Sequence, residues 1–117
     1  MPRSLASGFR TVLLKSAESR TLTFILGSAA SYNVSVRYSN DNYGPTETVT
    51  ISLDGSSVGQ FSAEDTGNYG AGWNVFVQTP TLGTANLSAG SHQVVVSVSG
   101  GDGYGVEIDT VILDRTS

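Results

Sequence analysis

The chain is expected to fold as an all-β sandwich of the jelly-roll type, with about eight or nine short antiparallel strands. Two observations predict this. Apolar residues recur with period two in one segment after another, and no window of a dozen residues keeps a helical period. Clusters of glycine, asparagine and aspartate interrupt these segments at roughly the 8–12-residue spacing of sandwiches and barrels.

The elements follow in order. Leu22, Phe24 and Leu26 alternate with Thr21, Thr23 and Ile25. Tyr32, Val34, Val36 and Tyr38 alternate with Ser31, Asn33, Ser35 and Arg37, and Val49, Ile51 and Leu53 alternate with Thr48, Thr50 and Ser52. Each run implies a strand with one dry face and one hydroxylated face. Further strands are expected from Trp73 to Thr79, from His92 to Ser99 around Val94, Val96 and Val98, and from Val106 to Leu113. Asp54-Gly55, between Leu53 and Val58, predicts a hairpin, because both central residues of a type I′ turn need positive φ. Phe24, Tyr32, Tyr38, Phe61 and Phe76 are assigned to core packing.

A length of 117 residues fits one domain, 1–117. With no cysteine, neither a disulfide framework nor a thiolate metal site can form. A net charge of -4 argues against binding to a phosphate backbone or an anionic membrane. Apolar runs stay far below the roughly 20 residues that span a bilayer. Residues 1–8 lack the apolar stretch of a signal peptide, so a secreted location requires a signal outside this sequence.

Signs of catalysis are weak. The single histidine, His92, reads as the opening of a strand, whereas a general base needs an oriented partner and a nearby nucleophile. Gly55-Ser56-Ser57-Val58-Gly59 matches the nucleophile-elbow string G-x-S-x-G, but that motif needs a helix after the turn and this one runs on into Gln60-Phe61-Ser62. Glu107 and Asp109 stand two apart on a strand and share a face, which is not the cleft-spanning pair of a glycosidase. Asp102, Glu107 and Asp109 do offer oxygens to a hard cation such as calcium.

The loops are more informative. Tyr43, Tyr69, Trp73 and Tyr104 all lie in or beside glycine-rich and amide-rich segments, away from the alternating core positions. A sugar ring has an apolar C–H face and a rim of hydroxyls, so its site needs an aromatic platform with amides or carboxylates around it. Asn40, Asn74 and Glu107 are candidates for that rim, beside Asp41, Asn42 and Asn68. The other reading of Trp73 is a plug for one end of the sandwich.

Five motifs in order then suggest a family. They are Ser31-Tyr32-Asn33-Val34-Ser35-Val36-Arg37-Tyr38, Leu53-Asp54-Gly55, Gly72-Trp73-Asn74-Val75-Phe76, Leu87-Ser88-Ala89-Gly90-Ser91-His92 and Val106-Glu107-Ile108-Asp109-Thr110-Val111. Over roughly residues 20 to 114 the chain resembles the carbohydrate-binding modules of families 6, 35 and 36. The resemblance implies a non-catalytic jelly roll that binds polysaccharide, of the xylan, β-glucan or uronic-acid class, beside a polysaccharide-degrading enzyme. It places Trp73 on the sugar platform of a loop-end cleft, and it implies calcium, either structural or bridging to the ligand. Glu107 stands where family 6 has a sugar-binding asparagine, while Asp109 matches. The Ala-Glu pair of the family's first strand has no counterpart before Phe9, which predicts an open sheet edge and, through it, a dimer. The competing expectations are an adhesion or assembly domain that binds protein, and a small lyase or hydrolase using Tyr104, His92 or the acidic cluster.

Overall fold

The period-two runs form strands where their alternation predicts. The computed structural model describes residues 4–7, 12–40, 46–64, 66, 76–101 and 105–116. Among these lie ten strands: β1 (Ser4–Ser7), β2 (Val12–Leu14), β3 (Ser19–Leu26), β4 (Ala30–Ser39), β5 (Glu47–Leu53), β6 (Ser56–Ser62), β7 (Val77–Gln78), β8 (Gly83–Leu87), β9 (Gly90–Gly100) and β10 (Val106–Arg115). One sheet runs β1-β10-β4-β7, with β2 also on β10 and β8 also on β4; the other runs β3-β9-β5-β6. Every pairing is antiparallel, and the described residues contain no helix. The expected all-β sandwich is the fold observed.

The core lies between the sheets. Val34 and Val36 of β4, Val49 and Ile51 of β5, Val94 and Val96 of β9, and Ile108 and Val111 of β10 are all buried. β-branched side chains dominate because they pack well on a pleated surface and lose little χ1 freedom there. The outward positions of β3 and β5 carry the expected hydroxyls: Thr21 and Thr23 are exposed, while Thr48, Thr50 and Ser52 are half-buried. Tyr32 and Tyr38 are buried as expected, with Tyr38 packed on Phe61 at 5.0 Å between ring centroids. The β5–β6 hairpin also forms, with φ of 52° at Asp54 and 86° at Gly55.

Three expectations are corrected. Ser4–Ser7 pairs with Asp114–Val111 of β10, so the edge expected to stand open is covered by β1, and β2 follows on the same flank. Within 76–79 only Val77–Gln78 is strand. Phe76 lies outside the core; the Arg37 guanidinium stands 5.3 Å from its ring centre, on the outward side of β4. Pairing of Val77 with Tyr38 brings Phe76 to β4 at the sheet's rim, beyond the inward row of that strand.

The two sheets meet along one seam, where edge strands β6 and β8 touch. A Cβ on Gly59 would lie 2.6 Å from the Leu82 carbonyl oxygen, and one on Gly83 would lie 2.3 Å from that of Val58. Only glycine permits backbones this close.

Candidate functional site

Strand register defines two poles. Glu47 faces Gly100 at one pole, and Leu53 faces Val94 towards the other. The segments 41–45, 67–75 and 102–104, which hold all four loop aromatics, connect to described residues at the Glu47 pole. Counting back from Leu53 through Ile51 and Val49 puts Glu47 on the inward row, and it is fully buried.

Glu47 is the hub of a buried network. Asn40, also fully buried, donates its side-chain amide to Glu47 Oε1 at 3.0 Å and to the Ala63 carbonyl at 2.6 Å. The Ala63 N–H donates to the Glu47 carbonyl, and the Thr66 N–H to the Asn40 carbonyl, both at 2.9 Å. The Asn40 N–H donates to Thr66 Oγ1 at 3.0 Å. On the other flank Gly101, at φ 95°, rests on the carboxylate so closely that a Cβ would fall 2.6 Å from Oε2. The stumps at 40, 63, 66 and 101 are therefore gathered around the buried Asn40–Glu47 pair. This arrangement fixes residues 40, 63, 66 and 101 relative to one another. Oδ1 of Asn40 is buried without a hydrogen-bond partner.

The predicted site residues divide unevenly. Tyr43, Tyr69, Trp73, Asn74, Asp102 and Tyr104 lie outside the described residues. Asn40 lies in the interior, where its amide positions loop stumps instead of reaching a sugar rim. Glu107 is half-buried on the outward face and accepts from Ser39 Oγ at 2.5 Å. Asp109 forms an ion pair with Arg37 at 2.9 Å. A β-bulge between Ile108 and Thr110 separates these two carboxylates in the ladder, and each faces a different partner. Among the described residues no group of three or more His, Cys, Asp or Glu side chains gathers to hold a metal. Sequence reasoning missed Glu47; its signal was an acid on the inward parity of a strand.

At the opposite pole His92 is buried within β9. Its Nδ1 lies 2.6 Å from Asp54 Oδ2 and its Nε2 lies 2.7 Å from the Ser88 carbonyl oxygen. Both neighbours accept, so the doubly protonated ring, with two donors, suits the site. Hydrogen bonds to Asp54, then to Ser88, raise the His92 pKa above 6.5, and the same His92 contact, helped by the Gln93 N–H, lowers that of Asp54 below 3.8. With both nitrogens engaged, the ring has no lone pair free for base catalysis on Ser56 or Ser57.

The pH dependence follows in sign. A raised folded-state pKa contributes stability that is complete below about pH 6.5 and is lost as pH rises through the folded value. The lowered Asp54 contributes stability above about pH 4 that is lost on acidification through its folded pKa. Thermal melts from pH 5 to 9 are expected to show the wild type losing stability above pH 6.5 relative to His92→Asn. Parallel profiles would rule out the linkage.

The sandwich, with its loop stumps gathered at one pole, is the fold of the carbohydrate-binding modules of families 35 and 6. A family 35 module from an environmental isolate matches with a TM-score of 0.68 at 15% identity, over 95% of this chain and 77% of that one. The family 6 module of Cellvibrio mixtus lichenase 5A, in complex with cellotriose, matches at 0.63 and 20% identity, over 97% and 91%. The same fold also occurs in the mosquito-larvicidal Cry4Aa toxin of Bacillus thuringiensis, at 0.70 and 14% identity, over 97% of this chain and 23% of the toxin. A 1,6-alpha-glucosyltransferase from Sporosarcina globispora is 29% identical over 90 residues, which are 77% of this chain, and the match spans only 6% of that protein. No family model matches the chain.

Proposed function

We propose that this chain is a non-catalytic carbohydrate-binding module that holds a polysaccharide at the Glu47 pole. The observation that carries the reading is the fastening of the stumps of the aromatic-bearing loops to the buried Asn40–Glu47 network. Trp73 supplies the platform, Tyr43, Tyr69 and Tyr104 are candidates for further walls, and Asn74 and Glu107 for the hydroxyl rim. A rigid aromatic face gains contact area with little loss of rotamer freedom, which suits the C–H face of a sugar. The xylan, β-glucan and uronic-acid polymer classes are the candidate ligands.

Support for tethering comes from neighbours in which the fold is part of a larger chain, among them the Podospora anserina GH26-CBM35 β-(1,4)-mannanase, of which this chain covers 25%. A secreted module joined to such an enzyme would raise its effective concentration at an insoluble polymer without altering its chemistry.

Calcium fits poorly with the described part of the Asp102, Glu107 and Asp109 set. Asp109 already faces the Arg37 cation and Glu107 accepts from Ser39. Hard cations need several oxygens turned to one point. The proposed binding is therefore built on aromatic and hydrogen-bonding contacts, with no calcium assigned to Glu107 and Asp109.

Affinity electrophoresis against soluble polysaccharides, with calcium or chelator, tests the proposal. Wild type is expected to be retarded equally in both, and Trp73→Ala to bind at least about tenfold more weakly. Chelator-sensitive retardation would restore the calcium set. A lack of retardation by every polymer would move the assignment to a protein-binding adhesion domain, a role the fold's presence in a toxin keeps open.

A further inference from the structure

We propose that a second site, for a neutral sugar residue, lies in the groove between β6 and β8 at the His92 pole. It is independent of the Glu47 pole. Both strands are sheet edges, each paired on one flank only, β6 with β5 and β8 with β4. They touch where Gly59 meets Leu82 and Gly83 meets Val58. Between that contact and the Asp54-Gly55 turn, residues of β6 and β8 line a half-open cavity of about 370 Å³, within the range of small-molecule sites.

Its chemistry matches a sugar. Leu53, Val58 and Leu87 are its apolar lining residues, while Asp54, Ser57, Asn86 and Thr84, whose hydroxyl donates to Asn33 Oδ1 at 3.0 Å, are its polar ones. The Asp54 carboxylate is fixed in direction by His92 on Oδ2 and by the Gln93 N–H at 2.9 Å on Oδ1. A carboxylate has about four lone-pair directions, so two remain for hydroxyl donors. Asn86 is also oriented, by Ser31. A shallow, open depression beside it shares Asn86 and Leu87, which leaves space for the next sugar of a chain. A fixed carboxylate in a protein of net charge -4 selects against uronates.

Amide chemical-shift titration of the full chain with cellotriose tests the site. Carried out in Trp73→Ala, it is expected to move the Ser57, Val58, Thr84 and Asn86 amides saturably, with trigalacturonate leaving them in place. Ser57→Ala with Thr84→Ala, both at exposed positions, is expected to weaken that binding about tenfold. Static groove amides in a wild type whose Trp73 indole responds would overturn the second site and leave the first standing. Groove shifts without an indole response would support the second site alone. Equal shifts with trigalacturonate, or with an extended neutral peptide, would overturn the assignment to a neutral sugar.

Discussion

Gly83→Ala is expected to lower the melting temperature by about 10–15 °C, whereas Gly27→Ala leaves it nearly unchanged. At Gly83 the new methyl group would fall 2.3 Å from the Val58 carbonyl oxygen and 3.0 Å from Val58 Cγ1. The first of these is backbone on the other sheet, so relief requires moving β6 away from β8 and opening the seam that seals Leu82 and Val58 against the core. Overpacking of this kind costs about 3 kcal/mol, and a domain of this size loses about 4 °C per kcal/mol. Gly27 has no atom within 4 Å of the same methyl group and no positive φ, so only unfolded-state entropy changes, worth under about 1 kcal/mol in the stabilising direction. Calorimetric melts of the two variants decide it. A Gly83→Ala protein melting within about 2 °C of wild type would show that the seam is not a structural constraint.

The sequence showed the long strands of this fold and concealed its short ones. β4, β5 and β9 bury alternate rows, β3 half-buries Leu22 and Phe24 and buries Leu26, and β10 buries alternate residues on either side of its bulge, so burial leaves a period-two imprint on their residues. β7 has two residues, both exposed, and β1, β2 and β8 are three to five residues long; they are strands because β10 and β4 offer them a partner. Nothing in Gly83-Thr84-Ala85-Asn86-Leu87 alone announces that role. The site divides likewise. Asn40 reads in the sequence as an amide beside aromatic loops, but its burial depends on Glu47 and on Ala63, 23 residues away, a conjunction that no local pattern encodes. Charge suggests that Glu47 is a surface residue; strand parity puts it inside, and parity prevails because Asn40 supplies the donor that a buried carboxylate requires.

Asn40→Ala is expected to cost about 3 kcal/mol and to abolish polysaccharide retention with it. The truncation removes two donors from places water does not reach, leaving a buried carboxylate and the Ala63 carbonyl each short of a partner. The shape change is small, so a cavity alone would predict a milder loss. Asn40→Asp separates the two causes, because it keeps the volume and turns donor into acceptor. At neutral pH it sets a second carboxylate about 3 Å from Glu47, which repels it, so the variant is expected to be less stable than Asn40→Ala. On acidification one carboxyl gains a proton and can donate to the other, so Asn40→Asp should recover towards wild type as pH falls while Asn40→Ala should not. Denaturant melts at pH 7 and pH 3.5 compare the two directly. If neither variant shifts stability while both lose retention, the network acts on the loops alone; if both leave stability and retention intact, the Glu47 hub does not organise the binding pole. The expected result joins stability to binding because the buried Asn40–Glu47 pair gathers the stumps at 40, 63, 66 and 101, and ligand contacts on loops can be no better ordered than the points from which those loops depart.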